Sequence, residues 1–485
     1  MLRQTLLVVV SCSIFFLASC ENQDSKQGPA PLAETKPTLK QKTRTDSWQS
    51  IQVASNPHFF QHTKGQPFFW LGDTGWLLFS KLDRAEAEYY LENRRKKGFN
   101  TIQVMVLHTV EASNFQGDHA LANGDLSKPK ISPGSKPSDP TQYDYWDHVD
   151  YIIDLAAKKG LWMAMVPIWG SPVKEGKVSV EQATRYSRFL VERYNNKPNI
   201  IWLNGGDTFG NEHTEVWQAI GETLAANNPN KHLITFHPRG RQMSGEWFHQ
   251  QAWLDFNMFQ SGHRHYHQDI APESYRFGPD NWRYAALDYQ RKPVKPTLDG
   301  EPSYEEIPHG LHNPDLPRWQ ARDLRRYAYW SVFAGGAGFT YGHNSVMQFY
   351  RGGDDERAFH ARSEWQPALD APGAGQMQYL KKLMLDYDYF SRIPDQSLVL
   401  NNGEKFEWLA ACRGRDYAMV YNYTGREIKM QLGKVSGQRI LARWYNPRSG
   451  KYTAIGRFNN KGQRTFTPPA GSAESKDWVL VIQSA

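Results

Sequence analysis

Apolar positions along the chain follow two regimes. Between residues 68 and 390, short continuous apolar runs alternate with longer stretches of helical spacing. The runs occupy 68–73, 101–108, 161–169, 200–204, 232–237, 256–260, 296–299 and 338–341. They are rich in β-branched and aromatic residues and do not alternate with polar ones, as expected of strands covered on both faces. Between them, the spacing predicts helices over 83–97, 145–159, 180–194, 216–226, 319–333 and 376–390. Asp83 followed by Glu86 reads as a capping-box start, and Gly98 and Gly160 read as helix ends. Such strand–helix units predict an α/β fold, a (β/α)8 TIM barrel, over residues 48–393. A doubly wound open sheet is the alternative, but no glycine-rich nucleotide turn follows the first strand. Beyond this region the period drops to two in 406–409, 417–421, 439–445 and 478–482. Turn sequences such as Asn446-Pro447-Arg448-Ser449-Gly450 separate these segments, predicting a small C-terminal antiparallel β-sandwich over 394–485.

Residues 1–20 read as an address rather than as part of the fold. They carry one charge, Arg3, and two apolar runs interrupted by Ser11-Cys12-Ser13, too short to span a bilayer. A signal peptide is therefore expected. Its end, Leu17-Ala18-Ser19-Cys20, resembles the bacterial lipobox, whose cysteine is acylated and becomes the first residue of the mature protein. That resemblance implies lipidation at Cys20, a membrane as partner, and a lipid-anchored location in the bacterial cell envelope, on the outer membrane, periplasmic or surface-exposed. Secretion with cleavage after a small residue is the alternative. Glu21-Asn22-Gln23-Asp24 resembles the acidic surface-export signal of Bacteroidetes lipoproteins, and residues 21–47 predict a flexible tether.

Composition narrows the class further. With 40% hydrophobic and 22% charged residues, the chain is too apolar for disorder and too charged for a polytopic membrane protein. The net charge of +7 is spread without a basic run, which argues against a nucleic-acid partner. Once Cys12 leaves with the signal and Cys20 carries lipid, Cys412 stands alone, so no intramolecular disulfide is expected. The 17 Trp, 24 Tyr and 24 Phe suit either a large core or the flat faces of sugar rings.

In TIM barrels the chemistry sits at the C-terminal ends of the strands. Here those ends carry Asp73, His108, Trp169, Asn204 with Asp207, His237, His263, Asp299 with Glu301, and His343. A purely stabilising core would not gather Asp, His and Glu at one end so regularly. Asp207 after the fourth strand and Glu301 after the seventh suit glycoside hydrolysis. One carboxyl protonates the leaving oxygen while the other faces the oxocarbenium-like carbon as nucleophile or base.

Four blocks then point to a family. Phe69-Trp70-Leu71-Gly72-Asp73-Thr74-Gly75-Trp76, Gly98-Phe99-Asn100-Thr101-Ile102-Gln103, Asn204-Gly205-Gly206-Asp207 and Asp299-Gly300-Glu301-Pro302-Ser303-Tyr304-Glu305 resemble the apiosidase-like glycoside hydrolases over roughly residues 57–390. These are TIM-barrel enzymes that include apiosidases acting on the pectin rhamnogalacturonan II. The tail resembles the module labelled a collagen-binding domain that commonly follows this barrel. The resemblance implies Asp207 as general acid and Glu301 as nucleophile or base. It also implies Asp73, Trp76, His108, Trp169 and Asn204 as lining of the sugar pocket, joined in our reading by His237, His263, Asp299 and His343.

The expected partner is an oligo- or polysaccharide of plant or algal origin, with no cofactor and no metal. A zinc site in Gly262-His263-Arg264-His265-Tyr266-His267 is disfavoured by the lack of a His-Glu-x-x-His helix. A non-catalytic glycan-binding surface lipoprotein is the alternative function. A protease or collagen adhesin rests only on the tail's label, because no zincin helix or Ser/Cys nucleophile motif is present.

Overall fold

The computed structural model describes residues 48–268, 277–353 and 357–485. The signal peptide expected over 1–20, with Cys20, and the tether expected over 21–47 lie outside the described residues. The eight strand runs become eight parallel barrel strands: β1 (Trp70–Thr74), β2 (Thr101–Met105), β3 (Trp162–Val166), β4 (Ile200–Thr208), β5 (Ile234–Pro238), β6 (Asn257–Gln260), β7 (Thr297–Asp299) and β8 (Gly338–Tyr341). They pair in the order β5-β4-β3-β2-β1-β8-β7-β6. The seam between β5 and β6 closes through the Asp255 N–H on Ile234 O (2.8 Å) and Thr235 Oγ1 on Phe256 O (2.6 Å). A two-residue edge, Gln242–Met243, pairs antiparallel with β6. At the opposite end, the short antiparallel strands Ile51–Val53, Phe60–His62 and Pro67–Phe68 cover the barrel mouth. Phe60 meets Phe256 and Phe68 meets Trp162 there.

Most helices fall where the spacing predicts them. α1 (Arg84–Lys96) starts at the Asp83/Glu86 capping box, and α2 (Tyr145–Lys159) ends at Gly160 in the left-handed region. Capping of this kind contributes about 1 kcal/mol per helix start. α3 is Val180–Tyr194 and α4 is Thr214–Ala226. A one-turn helix, Gly245–Phe248, stands after β5. α5 (Trp282–Gln290) was not foreseen, because its inward face carries Asp288, bound by Arg291 Nε (3.0 Å) and Thr297 Oγ1 (2.9 Å). An acid at an inward position breaks the apolar stripe that would announce a helix. α6 is Ala321–Phe333, and α7 is Pro372–Leu385 rather than 376–390. Pro372 sits at the start of α7, where its missing N–H costs nothing.

The tail is antiparallel. β9 (Ile393–Pro394), β10 (Leu409–Arg413), β11 (Tyr417–Asn422), β12 (Ile428–Gln431), β13 (Arg439–Tyr445), β14 (Tyr452–Asn459), β15 (Gln463–Phe466) and β16 (Trp478–Ser484) form one sheet ordered β9-β10-β11-β16-β13-β14 and a second of β12 and β15. The two-residue period separates two buried faces. Ala418, Val420, Leu480 and Trp444 pack under β12 and β15, while Met419, Tyr421, Val481 and Tyr445 face the barrel helices. On that second face Tyr421 stacks on Tyr329 of α6 at 4.7 Å. Asp477 binds Arg325 of α6 at 2.7 Å and Arg448 at 2.6 Å. A buried network like this costs far more to break from one side than it adds when whole.

One predicted tail strand moved. Residues 405–407 form a single helical turn and the strand begins at Leu409, because Phe406 and Trp408 turn onto the barrel instead of into the sandwich. β12, β14 and β15 were not foreseen; β15 has a single apolar residue, Phe466, and no residue of β14 is fully buried. Among the described residues, no helix is long and apolar enough to cross a membrane.

Candidate active site

A cavity of about 420 Å³ opens at the C-terminal ends of the barrel strands. Of the residues expected at those ends, Trp76, His108, Trp169, Asp207, His263 and Glu301 line it.

Asp207 reaches the cavity through a distortion of β4. Gly205 stands opposite His237 and Thr208 opposite Pro238, so Gly206 and Asp207 bulge out of the ladder. Gly206 adopts φ +119°, and a Cβ there would lie 2.7 Å from the Trp169 ring; neither condition admits another residue. Asp207 itself has φ +50°, in the left-handed region that costs a non-glycine residue about 1–2 kcal/mol. Asn204 anchors the start of the bulge: its Oδ1 accepts from the Gly205 N–H (2.9 Å) and its Nδ2 donates to Trp217 O (2.7 Å). Asp207 thus stands outside the ladder and lines the cavity. Crowding by protein raises the Asp207 pKa above the usual carboxylate value, and the negative charge of Glu301 raises it further. Arg239, His237 and the Gly240 N–H at 3.4 Å pull the other way.

Glu301 follows β7 and is only 8% exposed. Its backbone is fixed on both sides: Gln103 Nε2 donates to Gly300 O (2.9 Å), and the Gly262 N–H donates to Glu301 O (3.1 Å). Its carboxylate lies between two imidazoles. His263 Nε2 is hydrogen-bonded to Oε1 at 3.2 Å, and His237 Nε2 lies 3.2 Å from Oε2 without hydrogen-bond alignment. Burial by itself raises the Glu301 pKa, but His237 and His263 outweigh it and hold the group at about 2. Two carboxyls in one cavity therefore have their pKa values pushed in opposite directions, the arrangement that separates an acid from a base.

Aromatic rings frame the pair. Trp76 and Trp169 lie 5.2 Å apart and both pack on His237, at 5.4 Å and 5.7 Å. His237 is thus buried behind Glu301 and does not line the cavity. Tyr304 lines the floor, 4.9 Å from the His263 ring.

Four other expected residues are turned away from the cavity. Asp73 is buried against Arg94 (3.0 Å) and Tyr90 (2.6 Å), tying β1 to α1. Asn204 holds the β4 bulge, as above. Asp299 accepts from Ser261 Oγ (2.7 Å) and Asn281 Nδ2 (3.0 Å), and burial pushes its pKa up to about 7. His343 caps the short helix Asn344–Met347 by accepting from the Ser345 N–H (3.1 Å). The physical reason is common to the three that stand in strands, Asp73, Asn204 and Asp299. Alternate residues of a barrel strand point to opposite sides, so a polar residue at a strand end is as often a tie to the flanking helix as a wall of the pocket.

Sequence reasoning missed Arg239, Arg241, Gln260, Arg264, Tyr304 and His312 as lining residues. Gln260 ends β6 and Arg239 follows β5, so strand-end logic could have found both. The histidine-rich segment divides: only His263 meets Glu301, while His265 stacks on His309 at 5.0 Å. Among the described residues, no group of three or more His, Cys, Asp or Glu is arranged to hold a metal ion.

Residues 54–391 match the family model described as "Apiosidase-like, catalytic domain", and residues 393–483 match "Putative collagen-binding domain of a collagenase". A solved structure described as "Glycoside hydrolase" is 47% identical, with 90% of this chain and 98% of that one covered, at TM-score 0.86. A glycoside hydrolase family 5 structure from Bacteroides vulgatus ATCC 8482 is 43% identical, covering 90% of this chain and 93% of that one, at TM-score 0.85. A structure described as "a putative glycoside hydrolase" from the same organism, at 15% identity and TM-score 0.61 with 91% and 83% covered, shares the fold. No curated protein matches the chain.

Proposed function

We propose, from the premise that this chain belongs to the apiosidase-like glycoside hydrolases, that it cleaves a complex plant or algal polysaccharide with Asp207 as general acid and Glu301 as nucleophile or base. The supporting observation is the opposed environments of the two carboxyls in one cavity. Asp207, whose pKa is raised by crowding and by the charge on Glu301, gives its proton to the glycosidic oxygen as the bond to the anomeric carbon breaks. Glu301, kept ionised by His237 and His263, faces the positive charge that develops on that carbon. It either bonds to the carbon, giving a glycosyl-enzyme that a water deprotonated by Asp207 then hydrolyses, or takes a proton from a water that attacks the carbon directly. Trp76 and Trp169 line the cavity that would receive the sugar.

These roles set the pH profile. Activity requires Glu301 ionised, so it falls only as the pH drops toward about 2. It requires Asp207 protonated, so it also falls as the pH rises through the elevated pKa of that group. The profile of kcat/KM, which reports the free enzyme, is therefore expected to be a bell with a low acid limb. A Glu301-limited limb near neutral pH would contradict the assignment.

Arg239 lines the cavity beside Asp207, which would suit a glycan bearing an anionic group. A screen of the purified protein against pectic, arabinogalactan and algal oligosaccharides, with released sugars identified, tests the substrate class. Binding without release of any sugar would contradict it. The lipobox cysteine, Cys20, would tether this enzyme to the cell envelope. Incorporation of a fatty-acid label that is lost in Cys20→Ala is the expected result, and a label retained in that variant would overturn it.

A further inference from the structure

The loop after β6 carries His263 to Glu301, and most of its anchors come from the barrel. Trp319 Nε1 (3.2 Å) and the Gly310 N–H (2.8 Å) both donate to His263 O, and Ser303 Oγ donates to Gly262 O (2.8 Å). Three residues further along, the loop meets the C-terminal domain. The Phe406 ring packs on Tyr266 at 4.9 Å and on His265 at 5.6 Å, with the Arg326 guanidinium 5.2 Å above it. Lys405 Nζ lies 5.6 Å from the Tyr266 ring, and Tyr266 is held in turn by its hydroxyl on Asp280 (2.5 Å).

The tail segment that makes these contacts is built for them. Lys405 has φ +50°, a costly conformation for a lysine, and Arg426 donates to Glu407 O from both Nε (3.0 Å) and Nη2 (2.8 Å). Trp408 stacks face to face on Trp282 at 3.9 Å. This is where the period-two pattern of Phe406 and Trp408 is used: the two rings dock on the barrel rather than fill the sandwich.

We infer that the C-terminal domain supplies a positioning residue to the active site: Phe406, through the loop it packs on, holds the His263 imidazole against Glu301. The inference rests on Glu301 being catalytic. It gives the tail a role in the reaction itself, apart from any ligand the tail binds. Glu301 is faced by His263 from this loop, His237 from β5, Asp207 from β4 and Tyr304 from its own loop. Of these, His263 belongs to the loop that Phe406 braces.

The test uses the full-length enzyme. In Phe406→Ala, kcat is expected to fall about tenfold or more, since small misplacements of catalytic groups carry losses of that size. KM should hold. The acid limb of kcat/KM should move to higher pH as His263 loosens its grip on Glu301, and Phe406→Tyr should restore both quantities. Phe406→Leu, which keeps the apolar volume, reads the same way if the alanine variant does not fold. A folded variant with wild-type kcat and acid limb overturns the inference. So does a loss of kcat with the acid limb unmoved, which marks a merely structural contact. Full activity in Glu301→Gln is a separate outcome: it sinks the catalytic reading of Glu301 whatever Phe406 does.

Discussion

Glutamine at position 301 is expected to lower kcat by about four orders of magnitude, the scale on which losing a group central to bond cleavage is felt. The amide keeps the size of the carboxylate, so the backbone anchors from Gln103 and Gly262 remain and the barrel stays folded. What disappears is the negative charge facing the anomeric carbon and the lone pair that attacks it or takes a proton from water. KM should change much less than kcat, because the rest of the cavity lining, Trp76 and Trp169 included, is unchanged. The same substitution has a stability signature. Glu301 is held at about 2 in the folded chain, below the roughly 4.3 of an unperturbed glutamate. A depressed folded pKa stabilises above the unfolded value, and that contribution is lost as pH falls from about 4 toward 2. The Glu301→Gln variant should therefore lose less melting temperature than the wild type across that interval. Initial rates and acid-range melting curves check both halves, and a variant with near-normal turnover would remove Glu301 from the reaction.

Asparagine at position 207 should cost about 10²–10⁴-fold in kcat on a natural glycan, the usual contribution of a positioned proton donor. The loss should depend on the leaving group. A sugar alkoxide is a poor leaving group and needs the proton, whereas an activated phenolate leaves without one. Asparagine tolerates the left-handed backbone at φ +50° as well as aspartate does, so the β4 bulge should survive. The stacking of Gly206 against Trp169 does not depend on the 207 side chain. A uniform loss on both substrate types would mean that Asp207 acts through binding or shape and not through its proton.

The barrel was legible because its strands are buried on both faces, which leaves continuous apolar runs that no surface element mimics. α5 was hidden by Asp288 on its inward face, and α7 was shifted because a proline start outweighs spacing. The site was legible in part. Glu301 and Asp207 stand out as acids beside glycines just past strand ends, and Trp76 and Trp169 as aromatics at the same level. The sequence does not reveal which side of the strand a polar residue takes. Asp73, Asn204, Asp299 and His343 were therefore expected in the pocket, whereas each is spent on a tie to a neighbouring element. Nor does it reveal the bulge that aims Asp207, since Gly205-Gly206 reads as a loop and the strand continues through it to Thr208. The role of Phe406 was hidden for a related reason. Period-two spacing predicts which residues share a face but not what that face will meet.

The division of labour between the two carboxyls is tested most directly by one comparison. Wild type, Asp207→Asn and Glu301→Gln are assayed side by side on the same glycone carrying either a sugar or an activated aryl leaving group. The expected result is that Glu301→Gln fails on both substrates, whereas Asp207→Asn fails on the sugar and recovers most of its rate on the aryl glycoside. If the two variants lose rate equally on both substrates, or if either keeps wild-type turnover on the glycan, the assignment of acid to Asp207 and of nucleophile or base to Glu301 is contradicted.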